Sequence, residues 1–140
     1  MKRFFIAILS IALFSGAATA DINWITTNQI TVHWDAVTTL ENGDALPAGD
    51  VIRYLVYAVE YPDGDRSAPV VINDVDTTDA VITLSSEGKY IWGVRPVRFI
   101  EGELVSQGGI SWSDDTTKTQ DGGQIGIQHY IAPMSVGGLR

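Results

Sequence analysis

The chain has 140 residues, 45% of them hydrophobic, with 17 acidic against 9 basic residues and a formal net charge of −8, a length that suits one domain. It has no cysteine, which excludes disulfides, thiolate metal centres and cysteine nucleophiles. The acidic balance argues against nucleic acid and anionic lipid as partners, because like charge repels their phosphates.

The first twenty residues, MKRFFIAILSIALFSGAATA, differ from the rest. Lys2 and Arg3 precede an apolar run from Phe4 to Phe14, and Ala18-Thr19-Ala20 offers small residues at the spacing of a signal-peptidase site. The run is shorter than the ~20 apolar residues that cross a bilayer. Residues 1–20 are therefore expected to be a cleaved signal peptide, the alternative being an uncleaved anchor. Asp21 then begins the mature chain, which is expected to be secreted or periplasmic, with no membrane insertion after cleavage. Loss of Lys2 and Arg3 takes the net charge to about −10. An exported domain without disulfides depends on its apolar core, and ~120 residues bury roughly two-thirds of their unfolded-state surface.

Beyond the leader the dominant pattern is period-two alternation between turn residues, which reads as β-structure. Ile30, Val32 and Trp34 alternate with Thr31, His33 and Asp35. Thr38 to Asp50, with Asn42-Gly43-Asp44 and Pro47-Ala48-Gly49, reads as a loop. Ile52, Tyr54, Val56 and Ala58 form one face of the next strand, and Leu55, Tyr57 and Val59 make its other face unusually apolar. A turn at Pro62-Asp63-Gly64-Asp65 precedes a short strand at Val70 to Ile72. Asn73 to Asp79 reads as a polar connection, and Ala80, Ile82 and Leu84 as a strand. After a turn at Ser85 to Gly88, Lys89 to Arg98 is a long strand with Tyr90, Trp92, Val94 and Pro96 on one side. Glu101-Gly102-Glu103 turns the chain into a last strand, Leu104 to Ser113, interrupted by Gly108-Gly109. No apolar stripe of helical period follows the leader. About seven antiparallel strands predict an all-β sandwich.

The order of these segments resembles a fibronectin type III domain, of the kind found in exported bacterial and phage proteins, over Ile22 to Asp115. "ITVHWDAV" is similar to that family's second strand. "NGDALPAGDVIRYLVY" is similar to the insert and third strand, and "LSSEGKYIWGVRPV" to the corner between its fifth and sixth strands, with Leu84 six residues before Tyr90. "EGELVS" is similar to the opening of the last strand. The sequence departs from the family at Pro96, where a small alanine is usual, and at "DINWITTNQ", which replaces a proline-rich start. The resemblance implies an immunoglobulin-like β-sandwich over residues 21–117, followed by a Gly-rich tail over residues 118–140. It also implies a core plugged by Trp34 and Tyr54 from opposite sheets, with Tyr90 as a tyrosine corner, its hydroxyl bonded to backbone a few residues upstream.

Catalytic constellations are not apparent. His33 lies on the polar face of its strand and His129 in the tail. No serine-hydrolase, zinc-protease or phosphate-loop motif is present. Asp74, Asp76 and Asp79 lie close enough in sequence to be a calcium candidate, against the reading of a solvated connection. Glu101 and Glu103 read as a solvated turn rather than paired catalytic carboxylates. Trp92 with Arg95 and Arg98 is either a surface cation–π row or, by parity with Tyr90 and Val94, core. No cofactor is expected.

Glycine-rich though it is, the tail holds Ile125, Ile127 and Tyr130, which suits a strand that joins its own sheet or a partner's. The expected function is a secreted, non-enzymatic binding or adhesion module for a protein or glycan at the cell surface. The alternative is a structural subunit of a surface or virion assembly, joined through the tail.

Overall fold

A computed structural model describes residues 21–138 and 140; the leader expected over residues 1–20 lies outside them. The described chain is almost entirely β. Its strands are β1 (Asn23–Thr26), β2 (Gln29–His33), β3 (Val51–Glu60), β4 (Val71–Val75), β5 (Asp79–Thr83), β6 (Gly88–Ile100), β7 (Glu103–Gln107), β8 (Ser111–Trp112) and β9 (Ile125–His129), with one 3-10 turn at Gln120–Gly122. They form a large mixed sheet in the order β1-β9-β6-β3-β4, with β7 and β8 also on β6, and a two-stranded sheet of β2 and β5.

The organising strand is β6. On one side it pairs with β3 over the full length of the latter, from Val51 opposite Phe99 to Glu60 opposite Tyr90. On the other side three short strands take turns: β7 against Val97 to Ile100, β8 against Gly93 and Val94, and β9 against Gly88 to Tyr90. The edge is thus closed by one broken strand, and residues 114–124 leave it and return.

Ser113, only 2% exposed, stitches the break. Its N–H donates to the Trp92 carbonyl, and its hydroxyl accepts from the Trp92 N–H at 3.2 Å and donates to the Ile125 carbonyl at 2.7 Å. The Ile125 N–H returns to the Ser113 carbonyl. Beyond this point β9 also takes β1 as a parallel partner, Asn23 opposite Ile125 through Thr26 opposite Gln128.

Four expectations are corrected. The strand at 70–72 extends to Val75, because Asn73, Asp74 and Val75 pair with Val56, Leu55 and Tyr54, which shortens the polar connection to residues 76–78. The last strand is not continuous over 104–113: the Gly108 N–H turns back to the Pro96 carbonyl. "DINWITTNQ" contains the strand β1, and its pairing with β9 is parallel, so the large sheet is mixed. The sheet also continues past the boundary drawn at residue 117, since β9 lies in the Gly-rich segment.

The core lies between the sheets. Val32, Ala80, Ile82 and Leu84 meet Tyr54, Val56, Val94 and Ile127, with Trp34, Tyr90 and Trp92 packed at its margin. The large sheet is also buried on its far side, where Tyr57, Val59, Ile91 and Val97 are each less than 8% exposed. Trp24 and Trp112 lie over this outer face, each directly across from a glycine: Trp24 from Gly126 and Trp112 from Gly93. A Cβ on Gly126 would meet the Trp24 ring at 2.4 Å, and one on Gly93 would meet the Trp112 ring at 2.6 Å. A side chain larger than hydrogen at either position would lift its indole off the sheet.

Replacing Ser113 by alanine strips the Trp92 N–H of its acceptor and the Ile125 carbonyl of a donor. The expected loss is about 1–3 kcal/mol, read as a lowered denaturation midpoint, with faster amide exchange at Trp92 and Ile125 than at the β3–β6 ladder.

Candidate functional site

The Thr38–Asp50 segment is a small hairpin of its own. Thr39 bridges Ala45, the Leu40 N–H donates to the Asp44 carbonyl and the Leu46 N–H to the Thr38 carbonyl. Asn42 sets the tip: its Oδ1 accepts from the Asp44 N–H at 3.0 Å, and its Nδ2 donates to the Asp44 carboxylate at 2.8 Å. Gly43 follows at φ 88°, a left-handed conformation that glycine adopts without strain.

Two contacts fix this hairpin to the large sheet. The Val37 N–H donates to the Tyr54 hydroxyl at 2.9 Å. Arg98 on β6 holds Asp50 through Nε and Nη2, both at 2.6 Å. The Asp50 side chain is only 8% exposed, so this pair is shielded from water more than an ordinary surface bridge.

A cleft of about 300 Å³ lies between this hairpin and the β6–β7 region. Val37, Leu40, Ile52 and Pro96 supply its apolar lining, with Arg98 and Gln107 as polar groups. The lining brings one carboxylate, Glu41, and no histidine, so no acid–base pair is assembled there. The cleft can take an apolar group of modest size and offer it a few hydrogen bonds.

A second, open groove of about 690 Å³ runs past Asp21, Trp24, Tyr61, Lys89, Asp114 and Gln124. Its aromatic surface is already engaged. Trp24 packs against Gly126, meets Tyr61 edge-on at 5.2 Å and carries the Lys89 ammonium 4.9 Å above its ring. Alongside it Arg66 lies 5.5 Å from the Trp112 ring and grips Asp114 with two hydrogen bonds of 2.9 and 2.7 Å.

The residues singled out from sequence fall as follows. Trp34 and Tyr54 meet at 5.4 Å with planes 57° apart, and Leu84 is buried. The Tyr90 hydroxyl donates to the Ser86 carbonyl, four residues upstream, at 3.3 Å. Its desolvation raises the phenol pKa, and the charge of Glu60 adds to this. Trp92 packs on the core, while Arg95 lies on the opposite face over Tyr57 at 6.0 Å and Arg98 binds Asp50; the three form no row.

Asp74 is held by Arg53 at 2.8 Å, and among the described residues no three His, Asp or Glu side chains converge as a metal site, so Asp74, Asp76 and Asp79 are not drawn together. Glu101 and Glu103 are exposed at the β6–β7 turn and His33 is exposed on β2. Ile125 and Ile127 are not free for a partner: both lie within β9, and Ile127 is fully buried. Tyr130 is exposed.

The outer-face group of Trp24, Tyr61, Arg66 and Lys89 was missed. The apolar odd face of β3 was its one sequence signal. Comparisons with protein-family models, with curated proteins and with solved structures gave no match to this chain.

Arg98→Ala would leave the Asp50 carboxylate largely buried without its partner. A loss of about 2 kcal/mol is expected, with exchange broadening confined to residues 38–50 in NMR spectra. Asp115, whose carboxylate accepts from the Thr117 hydroxyl and N–H, has its pKa lowered mainly by the hydroxyl bond and next by the N–H bond. Because the folded-state pKa is the lower one, the turn's stabilisation is present above the ordinary carboxylate pKa and fades as pH falls through the folded value. The protection of the Thr117 amide, its exchange rate referred to the intrinsic rate at each pH, should therefore hold steady at mild acidity and fall only below the ordinary carboxylate range.

Proposed function

We propose that the chain is an exported, non-enzymatic binding module of the fibronectin type III kind, and that it recognises a protein through the cleft beneath the 38–50 hairpin. The observation that carries this reading is the cleft itself, a recess of about 300 Å³ in which Val37, Leu40, Ile52 and Pro96 lie among polar groups that include Arg98 and Gln107. Support for the fold type comes from the ring pair of Trp34 and Tyr54 across two sheets and from the Tyr90 corner. The lining favours a protein over a glycan. Sugars are commonly held against an open aromatic face, whereas Val37, Leu40, Ile52 and Pro96 suit an aliphatic side chain carried on a partner's loop. The alternative of a structural subunit would need a joining strand other than residues 125–129, because β9 is used inside this sheet.

A photo-crosslinking residue placed at position 40 should capture one discrete partner in the native envelope, and the same residue at exposed position 81 on the small sheet should not. Equal capture at both positions, or none at position 40, would sink the assignment of the cleft.

A further inference from the structure

The two sheets are unequal, and the difference leaves a slot. β2 and β5 stand alone, while the large sheet continues beyond β6 to β9 and β1. The Asn28 carbonyl accepts from Leu84 and the Trp34 N–H donates to Thr78, so the even residues of β2 face β5. The alternation of an antiparallel ladder turns the backbone groups of Thr31 and His33 the other way. Among the described residues β2 has no strand partner on that side; the Thr27 hydroxyl accepts from the Gln29 N–H and donates to the Gln29 carbonyl, which leaves Thr31 and His33 as the open positions.

The opposite edge of the small sheet is covered: the Asn73 side chain donates to the Val81 carbonyl and the Thr77 hydroxyl to the Asp79 carbonyl. β2, Gln-Ile-Thr-Val-His, has no lysine, proline or bulge of the kind that guards an edge strand. The inward face of the preceding strand, β1, is incompletely covered. Ile25 stands directly across from the fully buried Ile127 and shares its inward face, yet it is 36% exposed.

The same chain carries a segment that fits. Residues 131–138 are exposed throughout and in no strand, with Ile131, Met134 and Val136 at 72%, 95% and 78% exposure. Residues 122–139 contain no Asp, Glu, Lys or Arg, so this segment can approach another acidic copy without like-charge repulsion. Seven extended residues reach ~23 Å at ~3.3 Å each, more than the length of β2.

We propose that residues 131–137 of one copy add as a parallel strand to β2 of the next, joining copies head to tail. Parallel addition satisfies two demands together. In a parallel pair the added residues that bond to Thr31 and His33 have side chains on the face opposite to theirs. Ala132, Met134 and Val136 then bond to β2 and point inward over Ile25. Pro133, which has no N–H, presents its backbone to solvent, the position an edge proline requires. Antiparallel addition with Pro133 so placed would turn Met134 and Val136 out to water. The chain's own tail, held at the Ile131 N–H by the Glu87 carboxylate and exposed beyond it, leaves the slot of its own copy open. A donor segment and an acceptor edge on different surfaces make a heterologous contact, which continues from copy to copy. The proposal rests on β2 and the tail, not on the cleft.

Light scattering after size exclusion of the full chain tests it. The parent should exceed twice the mass of one chain as concentration rises. Met134→Asp with Val136→Asp removes the donated strand, and Thr31→Pro removes an N–H of the receiving edge that β5 does not use; each variant alone should be monomeric. Mixed together, they should form dimers and nothing larger, since one donor and one acceptor remain intact. Circular dichroism melting confirms that each variant folds, and His33→Pro replaces Thr31→Pro should the latter fail. A parent that stays monomeric at every concentration, whether its tail is free or folded onto its own β2, overturns the proposal. So does a mixture that stays monomeric, or a donor variant that still assembles.

Discussion

Everything in this fold leans on one edge, the side of β6 that faces away from β3. A thirteen-residue central strand cannot leave that row of backbone groups unpaired in a half-buried setting without a cost of ~1–3 kcal/mol for each unsatisfied group. The chain meets the demand in instalments, β7 then β8 then β9. The difficult point is the junction, where residues 114–124 depart, because the Trp92 N–H would face a gap. A serine is the smallest side chain that can both accept from Trp92 and donate to Ile125. Its position in the break lets an eleven-residue excursion sit inside a sheet without opening it.

That closure has a second consequence. By returning as β9, the chain creates a site for β1, and β1 brings Trp24 over the outer face. The outer face of β3 and β6 is apolar enough, through Tyr57, Val59, Ile91 and Val97, to require a cover. Trp24 and Trp112 supply it, each lying over a glycine in the neighbouring strand. The glycines weaken their strands, and the indoles laid across them restore buried contact. β6 is consequently buried on both faces, which explains why its sequence shows little polar alternation. The same placement of β1 in the large sheet leaves the small sheet with two strands, so the open side of β2 follows from the way the outer face is covered.

How much of this could be read from the residues alone follows a physical line. Ile30 to Trp34 and Ala80 to Leu84 show clean alternation because each has one wet face, and Ile52 to Ala58, buried on both faces, was legible from its run of β-branched and aromatic residues. The family resemblance carried by Leu84 and Tyr90 implied the corner, and the Tyr90 hydroxyl bonds the Ser86 carbonyl four residues upstream. β1 was obscure because "NWIT" is too short to show an alternation, and β9 read only as a strand for its own sheet or a partner's; their pairing with each other, about a hundred residues apart in sequence, is what settles both. Asn73 and Asp74 read as connection, yet the ladder to β3 and the Arg53 ion pair hold them in β4. The cleft was half legible: the 38–50 insert announced itself by Asn-Gly and Pro-Ala-Gly, while Arg98 as its anchor depended on the register of β3 against β6.

The ion pairs follow the same logic of placement. In a chain this acidic, three of the few arginines are each committed to one aspartate, and each pair ties a different peripheral segment to the large sheet or to its cover. Arg53 holds Asp74 on β4, Arg66 joins the 61–70 loop to Asp114 at the start of the excursion, and Arg98 holds Asp50 at the base of the hairpin. The exposed pair of Arg53 is worth about 0–1 kcal/mol, too little to explain the fold. Their value is geometric. Each arginine makes two contacts to its aspartate residue, which fixes the orientation of what it holds as well as its distance, Arg66 gripping both oxygens of Asp114, and Asp50 is the most shielded of the three carboxylates. The loop that forms one wall of the cleft is therefore set by the same strand that organises the core, so that the shape of the recess is inherited from β6 rather than left to a flexible insert.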